Sequence, residues 1–244
     1  MQTNTPVFST VSQTTLMIRR GVFAGLPIMI GYLPIAITYG VLARQAGLSI
    51  FELTMMSVLV FAGASQFMAA SLVAAGTGVL EIVIATFVLN FRHFVMSFSF
   101  MNRLRGTPLK WKLPLSFGLT DETFAVSSLH TKPAKEENGM LFYAAMIVVS
   151  YLSWVGGSFL GGVLGDVIPT SLSQSMGVAL YAMFIGLLLP SVRAEWRIGI
   201  VALISMFLNF AFSEVMPAGW AIVCATIIGA STGIWLLKKE GESS

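Results

Sequence analysis

Asn90, Arg92 and His93 lie close together in the otherwise apolar stretch LNFRHFVMSF, residues 89–98. A guanidinium within hydrocarbon is costly unless it faces protein or water. Arg92 therefore indicates either a structural tie to backbone carbonyls or a carboxylate, or a site for a substrate or a coupling ion. His93 leaves two interpretations open as well: a packing histidine, or a proton relay, to which a side chain that titrates near neutral pH is suited.

In an α-helix, these polar side chains would lie on two different faces. Arg92 shares one face with Glu81, which lies roughly 16 Å away along the helix axis and is too far for a direct pair. Asn90 and His93 share another face with Ser97. Polar groups on two faces suit a helix that other helices enclose, so we expect this segment to lie within a bundle.

The stretch FAGASQF, residues 61–67, combines small residues with a serine and an amide. Small residues let a neighbouring backbone approach closely, and most of them serve packing alone. Gln66 adds a donor and an acceptor near the middle of an apolar run. Gln66 and the adjacent Ser65 are therefore candidates for substrate binding or coupling.

The stretch FGLTDETFA, residues 117–125, brings two acids into an apolar setting. Thr120 or Asp121 is suited to cap a helix, and acids in a first turn complement the helix dipole. The alternative is that Asp121 or Glu122 binds a cation, a substrate ammonium group or Arg92.

Pro27 and Pro34 fall within the first apolar run, and each removes one backbone donor. The carbonyls that they release need other partners, and in transporters such breaks often contact substrate. Pro34 is therefore a further candidate, although a kink that serves packing alone is an equal alternative.

No enzyme signature accompanies these residues: the sequence contains no Walker loop, no HExxH and no GxSxG in a strand–turn–helix context. The nearest approach to a nucleophile and base pair is Ser97 beside His93. With two histidines and one cysteine, we expect no metal site and no enzyme. Energy for any uphill process would come from a gradient or a partner, and a channel fits the same residues.

The elements that must hold these residues are apolar helices. Of 244 residues, 56% are hydrophobic and 10% are charged, against a charged share of roughly 25% in soluble domains. Runs of about 20 apolar residues predict an all-α, polytopic transmembrane bundle. Seven such runs lie near residues 21–43, 53–75, 79–101, 140–164, 176–192, 198–213 and 218–237. Residues 113–129 predict a re-entrant segment or a short eighth span.

The net charge of +3 does not indicate nucleic acid, because Lys and Arg lie at the ends of apolar runs, where they act as membrane anchors and topology signals. With seven spans and the N-terminus outside, every Lys and Arg at the end of a run or in a loop falls inside, except Arg19 and Arg20. A first helix broken at its prolines, which dips in and returns, would place those two inside as well. We expect the first run to be retained and not cleaved as a signal peptide.

The predicted organisation is a polar tail at 1–18, a single membrane domain at 19–237 and a polar tail at 238–244. Two short matches hint at an internal repeat: GYLP at 31–34 resembles SYLS at 150–153, and LNF recurs at 208–210. Both have the same offset of 119 residues. Units at 21–101 and 140–213, with one extra helix, would form an inverted 3+3 repeat, as in many secondary transporters.

Five stretches together resemble the AzlC family of bacterial branched-chain amino acid permeases: GYLPIAITYG, FAGASQF, LNFRH, FGLTDETFA and SWVGGSFLG. The resemblance covers about residues 20–235. It implies an exporter of branched-chain or similar apolar amino acids in the bacterial inner membrane, working with a small AzlD-type membrane subunit. It further implies a secondary transporter with no cofactor, for which proton coupling is the usual assumption.

The family motifs fall on Gln66, Arg92, His93, Asp121 and Glu122. At residue 90 the family resemblance allows Asp or Asn, and this sequence has the uncharged Asn90, which argues against a mechanism that needs an acid there. A zwitterionic amino acid needs an anion site, a cation site and an apolar pocket. We hypothesise that Arg92 supplies the first and Asp121 or Glu122 the second. The competing hypothesis is a channel or a non-transporting scaffold subunit.

Overall fold

The structure, a computed structural model, describes residues 13–104, 107–136 and 138–237, and every regular element in those ranges is helical. Ten α-helices follow one another, with one turn of 3-10 helix at Lys132–Lys135. Their bounds are α1 Gln13–Gln45, α2 Ile50–Leu59, α3 Gly63–Ala74, α4 Val79–Arg103, α5 Leu109–Phe117, α6 Asp121–Leu129, α7 Met140–Leu164, α8 Thr170–Ala194, α9 Trp196–Ser213 and α10 Ala218–Leu237. The predicted all-α class is confirmed for these residues. Residues 1–12 and 238–244 of the predicted tails lie outside them.

Five of the described helices are long and apolar enough to cross a membrane by length and composition: α1, α4, α7, α9 and α10. α8 has 25 residues and contains the fifth predicted apolar run, residues 176–192. The polytopic character predicted from composition agrees with these helices. The number of seven spans and the 3+3 repeat stay predictions.

α1 is one continuous helix of 33 residues, about 50 Å long. It passes both prolines without ending. Near Pro34, side-chain hydroxyls bond the backbone: Thr38 donates to the Pro34 carbonyl at 2.9 Å, and Ser153 donates to the Met29 carbonyl at 2.8 Å. The alternative of a first helix broken at its prolines is therefore wrong, because the helix continues past both rings.

The second predicted span, residues 53–75, is divided into α2 and α3, and this departs from the sequence prediction. Tyr39 contacts both halves: its hydroxyl donates to the Leu53 carbonyl at 3.3 Å, and its ring packs edge-on against Phe67 at 5.7 Å. A straight helix would separate Leu53 and Phe67 by about 21 Å. The helix is therefore interrupted at residues 60–62, where the chain changes direction, and the two halves are about 15 and 18 Å long.

A second pair of half-length helices, α5 and α6, replaces the ambiguous segment at 113–129. Each has nine residues, about 14 Å, with a break at residues 118–120. A Cβ on Gly118 would lie 2.1 Å from Ile147 Cγ2, so the break is closely packed against α7. Each of these four helices, α2, α3, α5 and α6, is too short to cross about 30 Å of hydrocarbon by itself.

The described chain divides into two compact units, and the divisions fall inside α1, α4 and α7. The first unit comprises residues 13–33 and 93–154. Its apolar core draws on parts of α1, α4, α5 and α7 and on the break before α6. The core residues are Met17, Phe100, Leu104, Leu115, Leu119, Phe142, Tyr143, Met146 and Ile147.

The second unit comprises residues 34–92 and 155–237. α1 and α7 approach closely here, because a Cβ on Gly40 would lie 2.2 Å from the Ser158 carbonyl oxygen. Glu81 bonds the first turn of α10, where its Oε1 accepts the backbone N–H groups of Gly219 at 2.7 Å and Trp220 at 3.2 Å. An acid at a helix N-terminus satisfies free donors and complements the dipole.

Candidate functional site

The break between α5 and α6 presents a capped helix start. Thr120 caps α6: its hydroxyl accepts the Thr123 N–H at 3.3 Å, and the Thr123 hydroxyl accepts the Thr120 N–H at 2.8 Å. Asp121 and Glu122 occupy the first turn of α6, half-buried. Of the two residues predicted as possible caps, Thr120 is the one that caps, and Asp121 follows it.

Tyr32 of α1 reaches this helix start. Its hydroxyl lies 2.6 Å from Thr120 Oγ1 and donates to Glu122 Oε2. Because a phenol has one proton and gives it to Glu122, the Thr120 hydroxyl donates to Tyr32. The Tyr32 ring also packs edge-on against Trp154, with 5.3 Å between ring centroids. Tyr32 is buried, so the relay from Thr120 through Tyr32 to the carboxylate lies within the first unit.

A second polar network lies in the other unit, beside the break between α2 and α3. Gln66 Nε2 donates to Ser57 Oγ at 2.8 Å, and Ser57 Oγ donates to Ser158 Oγ at 2.8 Å. All three side chains are fully buried. Hydrogen-bonded polar groups at this depth are expensive to leave unpaired, so the network fixes how α2, α3 and α7 pack.

Ser65 and Asn90 meet in the same unit, where Ser65 Oγ donates to Asn90 Oδ1. Ser65 is buried and Asn90 is half-buried. This bond ties α3 to α4, in the stretch that continues into Arg92. Three predicted candidates, Ser65, Gln66 and Asn90, are thus brought together in one unit.

Arg92 and His93 occupy consecutive positions of α4, and both are half-buried. Ser97, one turn after His93, donates to the Ser116 carbonyl at 3.4 Å. Pro34 is exposed on α1. The roles predicted for these residues stay predictions. Among the described residues, no three of His, Cys, Asp and Glu lie together as a metal site requires.

Sequence reasoning did not single out Tyr32, Ser57 or Ser158. Tyr32 bonds Glu122, Ser57 bonds Gln66, and Ser158 bonds Ser57. A signal was present for Tyr32, because a tyrosine buried in an apolar run needs a partner for its hydroxyl. Serines at Ser57 and Ser158 carry no such signal, since a serine within a membrane helix commonly bonds its own backbone.

Comparison with known proteins places this chain among membrane proteins. A family model described as "AzlC protein" matches residues 27–168. An uncharacterized membrane protein of Archaeoglobus fulgidus is 35% identical over 212 residues, 84% of this chain and 92% of the relative. Inner membrane protein YgaZ of Escherichia coli is 29% identical over 221 residues, 86% of this chain and 88% of the relative.

The branched-chain amino acid transport protein AzlC of Bacillus subtilis is 29% identical over 160 residues, 66% of this chain and 62% of the relative. No solved structure matches. The segment matched by the family model includes both polar networks, from Tyr32 to Ser158, and covers more than half of the sequence. The chain therefore belongs to the AzlC family, as its motifs indicated.

Proposed function

We propose that this protein is a secondary transporter that exports branched-chain or similar apolar amino acids across the bacterial inner membrane. Membership of the AzlC family supports transport. The names of the Bacillus subtilis and Escherichia coli relatives support the substrate class and the inner membrane, respectively. We further propose coupling to the proton gradient and assembly with a small AzlD-type membrane subunit.

The observation that carries the proposal is the pair of interrupted helices, α2 with α3 and α5 with α6. In secondary transporters, interrupted helices present polar backbone and side chains to substrate and ions at mid-membrane depth. Each break here is bordered by a buried polar network, Gln66 with Ser57 at one and Thr120 with Tyr32 at the other. These networks hold each break in one arrangement, as a binding site at interrupted helices requires.

In this proposal Arg92 binds the substrate carboxylate, and Asp121 or Glu122 binds the ammonium group or a coupling proton. Charge-assisted hydrogen bonds are the strong means of recognising both ends of a zwitterion. His93 is the candidate proton relay. Apolar side chains of the helices would receive the aliphatic part of the substrate.

The decisive experiment measures efflux of leucine, valine and methionine from proteoliposomes that contain this protein with and without an AzlD-type subunit. Substrate should move against its gradient when a proton gradient is imposed, and an uncoupler should abolish this movement. Flux that only dissipates the substrate gradient would indicate a channel. No flux in either preparation would indicate a scaffold subunit.

Arg92→Gln should raise the half-saturating substrate concentration at least about ten-fold, because a charged hydrogen-bond partner is lost. Arg193→Gln, at an exposed position in the last turn of α8, is the matched control and should leave transport unchanged. Full transport with unchanged affinity in Arg92→Gln would overturn the carboxylate-binding role.

Asp121→Asn should impair export, since it removes the charge and keeps the size of the side chain. The helix cap is supplied by Thr120, so α6 should still form. Wild-type flux in Asp121→Asn would limit this acid to a contribution to the helix dipole.

A further inference from the structure

A cavity of about 630 Å³ lies within the first unit, and none of its lining residues belongs to either polar network. It is formed by the first turns of α1, the chain between α6 and α7, and the start of α7. The residues that line it are Leu16, Arg19, Arg20, Phe23, Ala24, His130, Lys132, Pro133, Glu136 and Phe142. None of them belongs to the candidate transport residues.

The polar side of this cavity is basic. Arg19, Arg20 and Lys132 are permanent cations, and Glu136 is the one carboxylate among the described lining residues, so three positive charges less one negative leave +2. Glu136 is engaged by Arg20, with 3.3 Å between Oε2 and Nη1. The net charge therefore resides with Arg19 and Lys132, both exposed, and the cavity is suited to an anion.

The other side of the cavity is apolar and aromatic. Phe23 and Phe142 contribute ring surfaces, and the guanidinium of Arg19 lies 5.6 Å from the centroid of the Phe23 ring. His130 packs against Phe142 with 5.5 Å between centroids. A small inorganic anion would leave these apolar walls unused, whereas an amphipathic anion would contact both sides.

The position along α1 agrees with an amphipathic ligand. Arg19 and Arg20 directly precede the apolar run that begins at residue 21, so they lie where a spanning helix leaves hydrocarbon. Phe23 is 58% exposed, on the hydrocarbon side of these arginines. The cations thus lie at the interface and the exposed apolar surface lies on the hydrocarbon side of them. This arrangement matches a phospholipid, whose phosphate lies at the interface and whose acyl chains lie in the hydrocarbon.

We propose that this cavity binds an anionic phospholipid, with its phosphate held by Arg19 and Lys132 and its upper acyl chain against Phe23. Free phosphate shares the headgroup chemistry and would reach the same cations. The apolar walls are what favour the lipid over the free ion. This site is independent of the amino acid transport proposed above.

The test is thermal unfolding of the full-length, delipidated protein in neutral detergent, titrated with phosphatidylglycerol, with phosphatidylcholine or with inorganic phosphate. Phosphatidylglycerol should raise the Tm saturably, and the other two should not. Arg19→Gln and Lys132→Gln should each raise the half-saturating lipid fraction about five-fold, and the double variant about 25-fold. Higher salt should weaken binding in the wild type.

Lys110→Gln/Lys112→Gln is the matched control, since it removes two charges near the start of α5 outside the cavity lining. It should bind phosphatidylglycerol as the wild type does, and so should the charge-preserving Arg19→Lys/Lys132→Arg. If the control variant lost phosphatidylglycerol binding to the same degree, the effect would come from overall charge, and the proposed site would be wrong. An equal Tm shift from inorganic phosphate would show that the cavity binds free phosphate and not a lipid. An equal shift from phosphatidylcholine would show that the cavity does not select an anionic headgroup.

Discussion

Single polar residues in this chain are held by partners on other helices. Ser57 of α2 accepts a hydrogen bond from Gln66 of α3 and donates one to Ser158 of α7. Inside a membrane protein no water replaces a lost partner, so each such bond selects one arrangement of helices. The candidates Ser65, Gln66 and Glu122 all take part in contacts of this kind, which could be proposed from residue type but not assigned to partners.

The hydroxyl of Tyr32 offers a test at this scale. Tyr32→Phe removes one oxygen that links Thr120 and Glu122 and keeps the ring against Trp154. We expect a loss of roughly 1–3 kcal/mol in the free energy of unfolding, because the bond to a carboxylate is lost. A lower Tm in detergent and reduced amino acid flux would be measured together.

Tyr181→Phe is the matched control, since the Tyr181 side chain on α8 is 67% exposed. It should leave both the Tm and the flux unchanged. If Tyr32→Phe also had no effect on either quantity, the relay at the start of α6 would contribute nothing to stability or transport.

Helix ends were the least predictable elements. Residues 53–75 are mostly apolar and predict one span, yet the helix is interrupted at Val60, Phe61 and Ala62. Local propensity marks this break only weakly, because Val60, Phe61 and Ala62 all tolerate a helix and the adjacent Gly63 already belongs to α3. The break is supported by tertiary contacts, among them Tyr39 with Leu53 and Phe67. By contrast, Gly118 and Thr120 indicate the break between α5 and α6 in the sequence, since a glycine and a capping residue favour a helix boundary.

Close packing of α1 against α7 gives a prediction for whole elements. Gly40→Ala would place a Cβ 2.2 Å from the Ser158 carbonyl oxygen, so the two backbones must separate. We expect a loss of roughly 1–3 kcal/mol, as in other overpacked interiors. Thermal unfolding of the purified protein would detect it as a lower Tm.

Gly31→Ala on α1 and Gly156→Ala on α7 are the controls, because nothing lies within 4 Å of a Cβ at either position. Each should be neutral or should stabilise by up to about 1 kcal/mol through helix propensity. A Tm for Gly40→Ala equal to that of these controls would show that the helices do not need glycine for their approach.

The membrane orientation is a property of the whole molecule. Arg19 and Arg20 were the exceptions to the predicted orientation, but they line one cavity with Lys132, and Arg20 pairs with Glu136. If α1 spans the membrane, these basic groups share one of its faces, and we expect that face to be the cytoplasmic one by the positive-inside rule. The basic residue at the other end of α1, Arg44, is paired with Asp166 at 2.9 Å and adds little net charge there.

Labelling of single cysteines tests this orientation. In a Cys224→Ser background, Thr14→Cys and Ala46→Cys mark the two ends of α1, and Thr131→Cys marks the segment next to Lys132. In intact cells an impermeant maleimide should label Ala46→Cys, while Thr14→Cys and Thr131→Cys should react only after lysis. Labelling of Thr14→Cys and Ala46→Cys from the same side would contradict a single crossing by α1.

The amino-acid sequence by itself determined the helical class, the membrane setting and the family, because these follow from apolar run lengths and from short motifs. It also placed the polar residues that the helices must enclose, including Ser65, Gln66 and Asn90. Only the tertiary structure decided that α1 continues past its prolines, that the helix over residues 53–75 is interrupted, and that Tyr32 and Ser158 complete the polar networks. The physical reason is that a polar group in an apolar helix must be paired, but which distant residue pairs with it depends on how the helices pack.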